Sequence, residues 1–166
     1  RIQVEHPVTE LVTGVDIVKE QIKIAFGERL RLRQDDIKMQ GAAIECRINA
    51  EDFEKNFVPS QGKIDVLNFP GGPGVRIDSH AYQGYIVSSH YDSLVAKLIV
   101  HGKSRKEAIQ IMARALDEFI IGPIKTTVPF HKEVLKNPFF IKGDFSTNFI
   151  NNTFRLAEKE GSGYAV

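Results

Sequence analysis

Ile44-Glu45-Cys46-Arg47-Ile48-Asn49 alternates apolar and polar side chains at every step. A period of two predicts a half-buried strand, with Ile44, Cys46 and Ile48 inward and Glu45, Arg47 and Asn49 outward. Downstream, residues 64 to 69 and 74 to 78 read as further strands joined by Gly71-Gly72-Pro73-Gly74, and Leu94 to Val100 reads as a more buried strand. Gly102 ends that run. Ser104 and Glu107 then form a capping box, and Ala108, Ile111, Ala115 and Phe119 recur at helical spacing. A short helix is expected from Val128 to Lys136, stopped by Asn137-Pro138. The last residues, 157 to 166, are polar with Gly and Ser, and 153 to 166 are expected to form a frayed tail.

Upstream of the opening strand, Ile2 and Val4 alternate with Gln3 and Glu5. This predicts a short strand over residues 1 to 6, ended by Pro7, which cannot donate to a ladder. A helix follows, with Thr13 and Asp16 as a capping box, Val15, Val18, Ile22 and Ala25 on one face, and Gly27 as its stop. The polar stretch 28 to 40 reads as a linker, so the chain divides into residues 1 to 38 and 39 to 152. The fold class is α+β, with mainly antiparallel strands in the middle and helices at each end.

The 166 residues are 42% hydrophobic and 26% charged, enough for a real core without staples. A net charge of +1 gives no global reason for nucleic acid or an acidic membrane surface. Arg29, Arg31 and Arg33 are offset by Asp35 and Asp36 and read as a solvated face. No apolar run is long enough to span a bilayer. Cys46 is the single cysteine, which excludes an internal disulfide and fits a reducing, cytoplasmic compartment. Cys46 itself reads as inert core. The chain opens at Arg1 without an initiator Met, inside what reads as a strand, and is expected to be a piece of a longer protein.

The first ten residues carry the chemistry. On a strand, Arg1, Gln3 and Glu5 share one face. A guanidinium fork binds a small planar anion, and a nearby carboxylate can take its proton. The same residues also suit an ordinary surface ion pair. Arg76, after the glycine-rich turn, suits either a developing oxyanion or a sheet edge against which its stem packs. That turn is no P-loop, since no Gly-Lys-Ser/Thr follows. His80, His90, His101 and His131 show no metal-ligand spacing, and no metal site is expected within the chain. Ser89, His90 and Asp92 are sequence neighbours without further sign of a triad, and Tyr82 and Tyr85 read as packing residues near Arg76.

Gln3-Val4-Glu5-His6-Pro7-Val8-Thr9-Glu10 resembles the signature at the end of the ATP-grasp core of biotin carboxylases. The resemblance continues through Glu45-Cys46-Arg47-Ile48-Asn49-Ala50-Glu51-Asp52, Pro59-Ser60-Gln61-Gly62-Lys63-Ile64 and Pro70-Gly71-Gly72-Pro73-Gly74-Val75-Arg76. It runs on through Tyr91-Asp92-Ser93-Leu94, Lys97-Leu98-Ile99 and Ile124-Lys125-Thr126-Thr127. It implies the end of an ATP-grasp core followed by a biotin carboxylase C-terminal domain.

The resemblance also implies roles. Arg1 would bind bicarbonate, with Gln3 and Val4 helping through main-chain N–H groups. Glu5 would deprotonate bicarbonate for attack on the γ-phosphate of ATP. Arg76 would stabilise the charge that develops on the ureido oxygen of biotin. ATP and Mg²⁺ would be held by residues before Arg1, so the chain alone is expected to be inactive. Biotin would arrive on its carboxyl carrier protein, carboxyltransferase subunits would use the product, and His101 and Arg105 would lie at a homodimer interface. For these last two the alternative is an ordinary helix start. For the chain as a whole, the alternative is a non-catalytic dimerisation or docking module for the carrier protein.

Overall fold

The computed structural model describes residues 1–154. In chain order it contains helices α1 (His6–Thr13) and α2 (Ile17–Ala25), then strands β1 (Ala42–Asn49), β2 (Glu51–Asp52), β3 (Val58–Pro59), β4 (Gly62–Lys63), β5 (Val66–Asn68), β6 (Val75–Ser79), β7 (Ile86–Val87) and β8 (Leu94–Gly102). Helix α3 (Arg105–Glu118), strand β9 (Ile120–Gly122) and helices α4 (Val128–Lys136) and α5 (Pro138–Lys142) follow. The class is α+β, and every ladder is antiparallel.

The main sheet has the order β1-β8-β6. Its register pairs Ile44 with Val100, Cys46 with Leu98 and Ile48 with Ala96, and on the other side Val75 with Val100 and Ile77 with Leu98. These residues share one pleat face. Against it lies α3, whose Ala108, Met112, Ala115 and Leu116 are each 0% exposed. Ser104 caps α3 by accepting from the Glu107 amide, and Glu107 Oε2 accepts from Lys103 N at 2.7 Å. Cys46 is core, and burial pushes its thiol pKa up to about 12, so no thiolate forms near neutrality. Among the described residues no helix is long and apolar enough to cross a membrane.

Three expectations fail, each for a local reason. Residues 1–5 form no strand. Glu5 sits at φ −82°, ψ 4°, and Pro7 occupies the first turn of α1, where a fixed φ favours helix and no N–H is needed. The helix expected from Thr13 starts only at Ile17, as α2, because Thr13 is the last residue of a separate helix, α1. Gly14, at φ 72°, returns its N–H to the Glu10 carbonyl and closes α1, while Asp16 caps α2 by accepting from Lys19 N. The strand expected over 64 to 69 shrinks to β5, which pairs with β9, because Ile64 N and Asp65 N turn to the carbonyls of Tyr85 and Gly122. Of the stripe expected on α2, Val18 and Ile22 are 39% and 53% exposed, and the helix buries no residue within the described chain.

The end of β1 is fixed by α4. Thr127 Oγ1 donates to the Arg47 carbonyl at 2.9 Å and accepts from Asn49 N at 3.0 Å. His131 Nε2 lies 2.9 Å from the same carbonyl, which can only accept, so that nitrogen carries the proton.

Two outcomes test this architecture. Leu98 is 0% exposed in the central strand, so Leu98→Ala should cost about 2–5 kcal/mol in urea unfolding; a loss within ~0.5 kcal/mol would show that the β1-β8-β6 sheet does not form the core. Burial pushes the His131 pKa below its ordinary value, against the opposing bond to Arg47. The unfolded chain then binds that proton more readily than the folded one. The His131 contribution is therefore complete above about pH 6.5 and is lost as pH falls through the depressed folded value. Urea midpoints from pH 8 to 5 should fall in that window, and His131→Gln should flatten that part of the profile. An unchanged slope in the variant would assign the dependence elsewhere.

Candidate active site

The opposite face of the same sheet is charged. Pairing places Glu45, Ile99 and Arg76 in one row across β1, β8 and β6, and Arg47, Lys97 and Asp78 in the next. Helix α1 packs over this face, with Pro7 buried beneath it. The residues just before α1 are thereby carried onto the charged rows.

Glu5 meets Arg47 there, with Glu5 Oε2 2.8 Å from Arg47 Nη2. Glu5 stands at the N-cap of α1 but makes no side-chain cap, which leaves its carboxylate to Arg47. Lys97 Nζ donates to the Val4 carbonyl at 3.2 Å and lies 3.3 Å from Asp78 Oδ2. One ammonium therefore joins the N-terminal segment to β8 and β6. Arg1 donates to the Gln3 side-chain oxygen at 3.1 Å, and His6 Nδ1 lies 2.7 Å from the Gln3 carbonyl. Arg1, Gln3, Val4 and Glu5 thus gather in one turn and not along a strand face.

Arg76 is placed differently. It grips Asp78 with two hydrogen bonds, at 2.8 Å and 3.0 Å, and its Nη1 lies 3.5 Å from Glu10 Oε2. The Asp78 hydrogen bonds raise the guanidinium pKa further, and Arg76 in turn holds the Asp78 carboxyl below the usual range. Two strand spacings and one pleat repeat separate the Arg47 and Arg76 positions, about 12 Å between Cα atoms. The cation beside Glu5 is therefore Arg47, and Arg76 stands in the neighbouring row. Glu45 completes the cluster: its Oε1 lies 4.0 Å from Arg47 Nε, and its side chain is 4% exposed.

Sequence reasoning passed over Glu10, Glu45, Arg47, Asp78 and Lys97. The signal was present in part. Arg47 and Glu45 are the outward members of the alternating strand, and Lys97 is the one charge inside an otherwise apolar run. A cleft of about 380 Å³ opens beside the cluster, lined by His6, Glu10, Asp16, Lys19, Ile22 and Arg76. A second cleft, of about 410 Å³, is lined by Phe119, Ile121, Ile124, Val128 and Lys132 and shares no residue with these charges. Among the described residues no group of three or more His, Cys, Asp or Glu could hold a metal.

His101 and Arg105 are both engaged within the chain. His101 Nε2 lies 2.9 Å from the Gln40 carbonyl. Arg105 donates to the Phe140 carbonyl, with its guanidinium carbon 4.9 Å and 5.4 Å from the ring centres of Phe140 and Phe145. Tyr82 and Tyr85 pack edge to face, with ring centres 5.6 Å apart.

Residues 45–152 match the biotin carboxylase C-terminal domain, and residues 1–33 match the ATP-binding domain of the carbamoyl-phosphate synthase L chain. Biotin carboxylase 1 of Bacillus subtilis is 57% identical over 150 residues, covering 90% of this chain and 33% of that protein. The biotin carboxylase of Haemophilus influenzae is 52% identical over 158 residues, covering 95% of this chain and 35% of that protein. The chain spans about a third of these relatives' length. The biotin carboxylase domain dimer of Hydrogenobacter thermophilus 2-oxoglutarate carboxylase, solved with MgADP, ADP and bicarbonate, superposes with a TM-score of 0.88. It is 50% identical, over 91% of this chain and 33% of that one. The chain belongs to the biotin carboxylase C-terminal domain family.

Proposed function

We propose that this chain is the C-terminal third of a biotin carboxylase and carries the bicarbonate-facing and biotin-facing residues of its active site. In this reading residues 1–38 end an ATP-grasp core and residues 39–152 form the C-terminal domain. The observation that carries it is the 2.8 Å Glu5–Arg47 pair, which brings a carboxylate and a guanidinium from these two segments to one point. Family membership supplies the reaction class. The exposed apolar side chains of Val18, Ile22, Ile24, Phe26, Leu30 and Leu32 support packing of α2 and the following loop against further parts of the ATP-grasp core.

The chemistry divides among residues already placed. Arg1 and the main-chain N–H groups of Gln3 and Val4 hold bicarbonate. Glu5 removes its proton, so that an oxygen attacks the γ-phosphorus of ATP and ADP leaves. The carboxyphosphate formed separates into CO2 and phosphate, and the phosphate takes the N1 proton of biotin. Negative charge moves onto the ureido oxygen, where a fixed guanidinium stabilises it, and N1 then adds to CO2. Arg47 takes this last role from Arg76, because Arg76 is committed to Asp78 and Glu10. Arginine suits it because it stays protonated whatever its surroundings. In this reading Mg²⁺ and most contacts to ATP fall to residues of the complete enzyme outside this chain.

Biotin arrives on its carrier protein and passes the carboxyl group on to carboxyltransferase subunits, as in a cytoplasmic acetyl-CoA carboxylase of fatty acid synthesis or a related carboxylase. A homodimer belongs to this reading, supported by the domain dimer of the Hydrogenobacter relative. His101 and Arg105 would shape that interface from within, since His101 Nε2 and Arg105 Nη2 are engaged inside the chain.

In the complete enzyme, Glu5→Gln should lower bicarbonate-dependent ADP release by about 10²-fold or more while ATP still binds. Near-normal turnover would remove Glu5 as the base. Turnover by the isolated chain given ATP, bicarbonate and biotin would overturn the division of labour.

A further inference from the structure

Glu45 is a costly residue with no role in the chemistry above. Its side chain is 4% exposed, and its Oε2 is buried without a hydrogen-bond partner. An ionised carboxylate in that state is destabilising unless a cation compensates it. Burial raises its pKa first of all, while Lys97 and Arg47 lower it, Glu5 raises it and His6 lowers it. Along β1, Glu45 and Arg47 are two residues apart and so share a face. The two acids lie at different edges of the guanidinium: Glu45 Oε1 is 4.0 Å from Nε, an ion-pair separation longer than a hydrogen bond, and Glu5 Oε2 is 2.8 Å from Nη2. A single planar group is thus held between two carboxylates on different edges.

We infer that Glu45 is a positioning residue, which fixes the Nε edge of Arg47 so that its Nη edge faces Glu5 and the reacting anion. This rests on the reading of Arg47 as the biotin-facing cation. An arginine on a flexible stem, half exposed here, samples many rotamers; a buried charge behind Nε removes most of them before substrate arrives. Because Glu45 is out of water, its pull on Arg47 is screened less than that of an exposed acid. The orphaned oxygen is what such a device costs in stability.

The test is a double-mutant cycle in the complete enzyme, read as biotin-dependent ADP release at saturating ATP. Glu45→Gln keeps the shape and removes the charge. Alone it should slow turnover by about tenfold, and in an Arg47→Ala background by less than about twofold, because its effect passes through Arg47. Its melting temperature should not fall, since neutralising a buried, half-satisfied carboxylate relieves a penalty. Near-normal turnover in Glu45→Gln, or equal fold losses in both backgrounds, would overturn the inference. If Glu45→Gln yields no folded enzyme, Glu45→Asp, which keeps the charge but withdraws it from Nε, is read through the same cycle. A normal rate in Arg47→Ala beside a dead Glu5→Gln would overturn the Arg47 reading itself, and this pattern is distinct from failure of Glu45 alone.

Discussion

The pleat of β8 is the constraint on which the rest depends. It sends Ala96, Leu98 and Val100 to one face of the sheet and Lys97 and Ile99 to the other. The first face packs on α3 and supplies the core. The second carries charge between two neighbours that carry more, and α1 closes over it. A one-residue slip in register would exchange the faces, burying Lys97 against Met112 and exposing Leu98. Stability and site geometry are therefore set by the same ladder.

The Glu5–Arg47 contact is a matter of geometry more than of stability. Its partners are 56% and 50% exposed, and such pairs contribute about 0–1 kcal/mol. What holds Arg47 in place is its backbone. Thr127 and His131 bind its carbonyl from α4, and its strand is stitched to β8 on the other side. The N-terminal segment is held in turn by Lys97 on the Val4 carbonyl and by Arg76 on Glu10. Arg76, on β6, thus also ties that strand to α1.

Much of the fold was legible because periodicity reports burial. β1, β8, α3 and α4 lie close to where alternation and capping put them, and Ser104 caps α3 as read. The misses share one cause: a local rule competed with a pattern. Proline at residue 7 reads equally as a strand end and as a helix start, and the hydrogen bond from His6 N to the Gln3 carbonyl decides for the turn. Thr13 and Asp16 read as one capping box, whereas Gly14 between them is the left-handed end of a separate helix. For the site, the decapeptide marked Glu5, but its partner lies 42 residues away and depends on the β1 register. Spacing along the chain carries no such information. Glu45 and Lys97 were visible as outward or isolated charges, but without partners they could not be told from solvated ones.

The Arg47 assignment separates this structure from the reading that sequence alone supports. Arg47→Ala and Arg76→Ala should be compared side by side in the complete enzyme, by biotin-dependent ADP release at saturating ATP and bicarbonate. Arg47→Ala is expected to lose about 10²-fold or more, as for a removed oxyanion donor, while Arg76→Ala stays within about tenfold. Equal losses, or a larger loss for Arg76→Ala, would place the biotin-facing cation on β6 and refute the site built around Glu5 and Arg47.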